Sequence, residues 1–238
     1  MENHSYADIL GNSDAAYMNA LAQRGALFTE SFAVAHPSQP NYLALFSGST
    51  QGVGGDACPQ TFSSPNLASD LARAGATFTG YSEGLPQVGD QVCESGAYAR
   101  KHAPWTNFSA VPADVGRPFS DFPTSFKALP TVAFVIPDLT HDMHDGSIAE
   151  GDTWLRQHLA DYASWAPAHN SLLILTFDED DHSQHNRIFT LIVGAHVVAG
   201  RYHERLDHYR LFRTLEALQG LAPSPDGPSG PVTDAWGP

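Results

Sequence analysis

Two stretches of this sequence are dense enough in donors and acceptors to do chemistry. Asp178-Glu179-Asp180-Asp181 crowds four carboxylates directly after the apolar run at 172–177. Like charges this close are costly unless a cation or bound protons neutralise them, so the stretch is either a solvated acidic turn or part of a metal site. Its place after a buried strand points to Asp178 and Glu179 as ligands and leaves Asp180 and Asp181 to solvent. Oxygen donors suit one hard or borderline divalent ion: Mg, Ca, Mn or Zn. The second stretch is His36-Pro37-Ser38-Gln39-Pro40-Asn41-Tyr42, followed by Leu43-Ala44-Leu45-Phe46 and closed by Ser47-Gly48. Ser38 reads as an N-cap, with its hydroxyl among unpaired backbone N–H groups at the positive end of a helix. That environment suits a phosphoryl group as well as it suits an ordinary capped turn. His141 and His144 sit three apart in a Gly-bounded loop. Either could donate to phosphate oxygens or protonate a leaving group. His36 is a weaker candidate, as a partner of Ser38 or a substrate contact.

The elements that must position these groups follow from apolar periodicity. Residues 13–25 predict an amphipathic helix capped by Ser13, and 26–29 a short strand. Residues 66–74 predict a helix ended by Gly75, and 77–81 the next strand. The continuous apolar runs at 131–136 and 172–177 are typical of buried parallel strands, with a third at 188–193. Asp152 is the expected cap of a helix over 152–165, and Asp207 the cap of a last helix over 208–219. Residues 82–129, rich in Gly, Pro, Ser and aromatics without a sustained period, predict a long irregular segment forming one wall of a cleft. The tail at 222–238 is expected to be loosely held. The pattern is that of a single α/β domain around a mostly parallel sheet, whose ligands bind beyond the carboxyl ends of the strands.

Composition narrows the partners. The 238 residues are 42% apolar, which is globular, and the formal charge of −14 argues against nucleic acid and anionic membranes as general partners. No apolar run has the length of a transmembrane span, so stable membrane insertion is not expected. The only cysteines, Cys58 and Cys93, lie in Gly/Pro/Ser-rich loops. They form either a disulfide, which implies export to the periplasm or exterior, or two independent thiols. Asn3-His4-Ser5 and Asn107-Phe108-Ser109 match the glycosylation sequon, a weak pattern.

Taken in order, Glu2-Asn3-His4-Ser5-Tyr6, the His36–Tyr42 stretch, Tyr98-Ala99-Arg100-Lys101-His102, Asp142-Met143-His144-Asp145, Phe177-Asp178-Glu179 and Arg213-Thr214-Leu215-Glu216 resemble the bacterial and fungal phosphoesterase family. That family contains acid phosphatases and phosphatidylcholine-type phospholipases C, and has the alkaline-phosphatase-like three-layer α/β sandwich. The resemblance implies metal ligation by Glu2, Asn3, Asp178 and Glu179. It implies a nucleophilic Ser38 that also touches the metal, and phosphate contact or proton transfer by Asn41 and His144. Family members begin with an apolar strand that is missing before Glu2 here; either the sequence is truncated or another segment fills that place in the sheet, and an unfilled place would leave Glu2 and Asn3 on a frayed terminus. The expected activity is metal-dependent hydrolysis of small phosphomonoesters through a phosphoserine, with His144 and then His141 as proton donors. The alternatives are a phospholipase C-type phosphodiesterase and a non-catalytic phosphate- or metal-binding domain.

Overall fold

The structure, a computed structural model, describes residues 1–223 and 230–237. In chain order its helices and strands are Tyr6–Ile9 (α1), Ala16–Arg24 (α2), Ala26–Phe28 (β1), Ser31–Phe32 (β2), Ser38–Ser47 (α3), Leu67–Arg73 (α4), Phe78–Ser82 (β3), Glu94–Ser95 (β4) and Tyr98–Ala99 (β5). There follow Gly116–Pro118 (β6), Val132–Ile136 (β7), Ile148–Trp165 (α5), Leu172–Thr176 (β8), Thr190–Gly194 (β9), Gly200–Tyr202 (β10), Leu206–Asp207 (β11) and His208–Leu218 (α6). The chain divides into two compact units. The first comprises Met1–Val34, Thr140–Asp207 and the described residues from Val232 onward; the second comprises Ala35–Leu139 and the described residues after Asp207 up to Pro231.

The first unit is built on a four-stranded sheet in the order β10-β1-β9-β8. β9 runs antiparallel to both neighbours while β10 pairs parallel with β1, so β8, β1 and β10 share one direction. Ile9, Met18, Leu21, Leu27, Phe28, Phe177, Phe189, Leu191 and Ile192, all 0–1% exposed, form its interior. The chain start is not frayed. The Met1 ammonium donates to the Thr176 carbonyl at 3.2 Å, and Asp178 N–H donates to the Met1 carbonyl at 3.0 Å, a parallel step beside the end of β8. Backbone hydrogen bonds on both sides therefore hold Glu2 where an unpaired terminus would have drifted.

Several expected caps move. Asn12, rather than Ser13, caps the 3-10 turn before α2, accepting from Asp14 N–H at 2.9 Å. Ser147, in a reciprocal box with Glu150, starts α5 one turn ahead of Asp152. Asp152 lies inside α5 and accepts from the N–H groups of Tyr17 and Met18, the second and third residues of α2. The loop before α5 closes onto that helix because Gly146 and Gly151 have no side chain. A Cβ would lie 2.0 Å from the Thr140 carbonyl in the first case and 2.5 Å from Met143 Cε in the second. The expected loose tail is corrected in its described last part. Val232 and Ala235 are buried, Val198 N–H donates to the Ala235 carbonyl and Gly237 N–H to the His196 carbonyl. Residues 224–229 and 238 of the tail lie outside the described residues.

The second unit is organised by an all-parallel sheet in the order β6-β3-β7. Its core packs Leu43, Phe46, Leu67, Leu71, Phe78, Trp105, Phe108 and Phe212. The Phe46 ring lies 5.2 Å from Phe78 and 5.5 Å from Phe108, distances of favourable aromatic contact. α4 starts with a capping box between Asn66 and Ser69. The segment at 82–129 is less irregular than its composition suggests. It holds the β4–β5 hairpin, several 3-10 turns and β6, which joins the sheet. β6 is Gly-Arg-Pro, too short and too polar for any apolar period to reveal. Cys58 and Cys93 are joined by a disulfide within this unit. Asn107 of the second sequon is 1% exposed and so is no glycosylation acceptor in the folded chain.

Candidate active site

In the first unit, buried carboxylates gather at the carboxyl end of β8. Glu2 and Asp142 are 0% exposed, and Asp178 and Glu179 are each 5% exposed. The chain brings them together by backbone bonds. Glu2 N–H donates to the Asp142 carbonyl at 2.8 Å, and Asn3 N–H donates to Asp178 Oδ1 at 3.3 Å. Asn3 sits at φ 54°, a left-handed conformation that Asn tolerates better than most residues. Glu179 N–H also donates to Asp178 Oδ1, at 2.6 Å, so one Asp178 oxygen orients the group. A carboxylate oxygen of Glu2 lies within 4.8 Å of one of Asp142. Carboxylates this close and this buried are tolerable only with a cation or a shared proton. Carboxylate oxygens of this kind fit a hard or borderline divalent ion.

Asp180, expected in solvent with Asp181, is instead 1% exposed. Its carboxylate accepts from the N–H groups of His182, Gln184 and Asn186 at 2.8–3.0 Å, so it builds the following loop. Asp181 remains exposed. Asp142 is the carboxylate that the residue-by-residue reading passed over. Its signals were its place in an acidic, Gly-bounded loop a few residues beyond a predicted strand and its position in the Asp142-Met143-His144-Asp145 stretch. Its Oδ1 accepts His144 N–H at 2.8 Å, and His144 Nδ1 lies 2.7 Å from Asp145 Oδ1, which fixes the imidazole. His141 packs its ring against Trp154 at 6.4 Å. Burial pushes the His4 imidazole below its ordinary value, against the opposing pull of Asp8 and Asp181.

In the second unit, Ser38 is the first residue of α3 rather than its cap; Pro37 holds the cap position, without a side-chain bond. The serine is 1% exposed. α3 is buried on nearly every face and ends at Gly48 in the left-handed conformation. Gln39 N–H donates to Asp56 Oδ1 at 2.9 Å, and the same carboxylate pairs with Lys101 at 2.9 Å. The carboxamide of Asn41, the expected phosphate contact, clamps the preceding loop. Oδ1 accepts from Ala35 N–H, and Nδ2 donates to the carbonyls of Ala35 and Pro37. His36, half-buried, lies in that clamped loop. Tyr42 stacks on His102 at 5.0 Å. Sequence reasoning did not single out Glu83, directly after β3, and Asp138, two positions after β7; Asp138 N–H donates to Glu83 Oε2 at 3.0 Å.

The sequence profile of the Phosphoesterase family matches residues 3–222. A phosphatidylinositol-3-phosphatase of Mycobacterium tuberculosis is 51% identical over 99% of this chain and 80% of its own length. A phosphate-repressible acid phosphatase of Penicillium chrysogenum is 33% identical over 86% of this chain, which spans 54% of that relative's length. Among solved structures, an alkaline phosphatase superfamily protein from Vibrio parahaemolyticus superposes with a TM-score of 0.65 at 14% identity. That match covers 92% of this chain and 64% of the other, and it shows an α/β fold of the alkaline phosphatase superfamily.

Proposed function

This chain belongs to the Phosphoesterase family, and on that premise we propose that it is a metal-dependent phosphomonoesterase working through a phosphoserine intermediate. The family and its relatives named as phosphatases make it a phosphoric ester hydrolase. The observation that carries the metal is the pair of fully buried carboxylates, Glu2 and Asp142, within 4.8 Å of each other. Glu2, Asn3, Asp178 and Glu179 are assigned as ligands, with Asp142 added and the Ser38 hydroxyl as the reactive one. When bound, a divalent ion supplies positive charge that favours the serine alkoxide and neutralises phosphoryl oxygens.

Ser38 Oγ attacks phosphorus, its proton passing to solvent, and the ester oxygen leaves with a proton from His144, or in second place His141. Water then attacks the phosphoserine; its hydroxyl stays on phosphorus, its proton restores Ser38, and inorganic phosphate departs. Asn41 and His36 are assigned to substrate contact, and Asn41 also holds the loop before Ser38. Both relatives are named as phosphatases, and neither as a phospholipase, which supports monoesters over diesters. The disulfide supports export to the periplasm or exterior.

The test is hydrolysis of p-nitrophenyl phosphate beside bis(p-nitrophenyl) phosphate, with and without EDTA, in the wild type and Ser38→Ala. Chelator-sensitive monoester turnover, reduced about a thousandfold or more by Ser38→Ala, is expected. Near-normal activity of Ser38→Ala overturns the mechanism. Faster diester turnover moves the assignment to a phospholipase C-type enzyme, and silence on both leaves a binding domain.

A further inference from the structure

The second unit contains a cleft of about 210 Å³ that none of the candidate catalytic or metal-binding residues lines. Its walls include Gln91, Arg100, Trp105, Asn107, Phe108 and Val111. Arg100 is 6% exposed. Nε donates to Thr106 Oγ1 at 3.1 Å, Nη1 to the Gln91 carbonyl at 2.7 Å and Nη2 to the Thr106 carbonyl at 2.9 Å. These acceptors are all neutral and use three of the five guanidinium N–H groups. No carboxylate pairs with Arg100 among the described residues. Burial accordingly pulls its guanidinium below the ordinary value. Buried charges are ordinarily paired, and an uncompensated guanidinium inside a chain of net charge −14 is an expensive feature to retain.

Two further polar groups on the same walls have no hydrogen-bond partner among the described residues. Trp105, 2% exposed, offers an unbonded Nε1–H, and Asn107, 1% exposed, has neither its Nδ2 donor nor its Oδ1 acceptor engaged. A buried cation with two additional N–H groups matches an oxyanion. The idle Oδ1 acceptor additionally suits an anion that carries an O–H. We propose that this cleft is a phosphate-binding site, separate from the catalytic residues, that takes a protonated phosphate through Arg100, Trp105 and Asn107. The anion is either free inorganic phosphate or a phosphonate-like headgroup of a larger molecule.

The chain has four tryptophans, so the indole region of a ¹H–¹⁵N spectrum reports each Nε1–H singly, and Trp105→Phe assigns the one of interest. Inorganic phosphate, methylphosphonate and sulfate are titrated at constant ionic strength into Ser38→Ala protein. Phosphate is expected to move the Trp105 resonance saturably while those of Trp165 and Trp236 hold still. Sulfate, which has no O–H near neutral pH, is expected to bind several-fold more weakly, and methylphosphonate to match phosphate only if the site accepts a substituted headgroup. Arg100→Gln should weaken the phosphate response about tenfold or more. Asn107→Leu should weaken it likewise, and serves if Arg100→Gln fails to fold. A Trp105 resonance that ignores phosphate, or that responds equally in the folded variants, overturns the site.

Discussion

Glu2 and Asp142 are joined by a 2.8 Å backbone hydrogen bond while their fully buried carboxylates approach within 4.8 Å. The backbone enforces an approach that the side chains, as like charges, oppose. Asp142→Asn removes one of those charges. It should raise the stability of chelator-treated protein by about 1–3 kcal/mol and shrink the stabilisation that added Mn²⁺ provides. Urea unfolding with EDTA and with Mn²⁺ measures both. A variant that loses stability in EDTA and keeps the full Mn²⁺ effect would make Asp142 a structural carboxylate.

Ser38 occupies the first turn of α3 without serving as its cap, so Ser38→Ala should unfold within about 1 kcal/mol of the wild type. Acid quenching during turnover of a labelled monoester should leave phosphate on the peptide containing Ser38, and none on Ser38→Ala. Mass spectrometry of the digest checks this, and an unlabelled wild-type peptide under burst conditions would argue for direct attack by water.

Asp152 accepts two N–H groups at the start of α2, at 2.9 Å from Tyr17 and 2.8 Å from Met18, and is 7% exposed. Asp152→Ala strands both donors and should cost about 2 kcal/mol, with Asp152→Asn recovering part because one oxygen remains. Ser147→Ala, the loss of an ordinary cap, should cost about 1 kcal/mol. Denaturant midpoints for the three variants rank these effects.

Burial pushes the Tyr98 phenol up to about 12, with Arg100 pulling in the other direction. In the unfolded chain the same phenol ionises near pH ~10, so the folded state binds this proton more tightly. The stability linked to it is therefore complete below about pH 10 and lost as pH rises toward 12. Tyr98→Phe should flatten that alkaline loss. It should also be nearly neutral at pH ~7, because the Tyr98 hydroxyl makes no hydrogen bond among the described residues. Thermal unfolding of both proteins from pH ~7 to ~11 measures the difference.

Much of the molecule was legible in local pattern. The apolar runs that became β7 and β8, the Asn66 start of α4, the Gly48 stop of α3 and the pairing of Cys58 with Cys93 were all readable from the chain. So was the gathering of polar residues after the strand ends, whereas the half-burial of β7 and β8 and the antiparallel pairing of β8 with β9 differ from the buried parallel strands that the apolar runs predict. β6 was not legible, since three residues without an apolar period leave no trace.

What the sequence determined alone was which segments bury their side chains and where polar groups leave them, because periodicity and capping act over one or two turns of chain. Only the tertiary structure decided which polar group serves which neighbour. It turned Asp152 into the cap of a helix 134 positions away and spent Asp180 on loop N–H groups. It tied Asn41 back to its own loop and left Arg100 buried without a counter-ion among the described residues. A carboxylate, amide or guanidinium is chemically the same wherever it stands; its role is fixed by the donors and acceptors that burial places within 3 Å of it, and no local pattern records that.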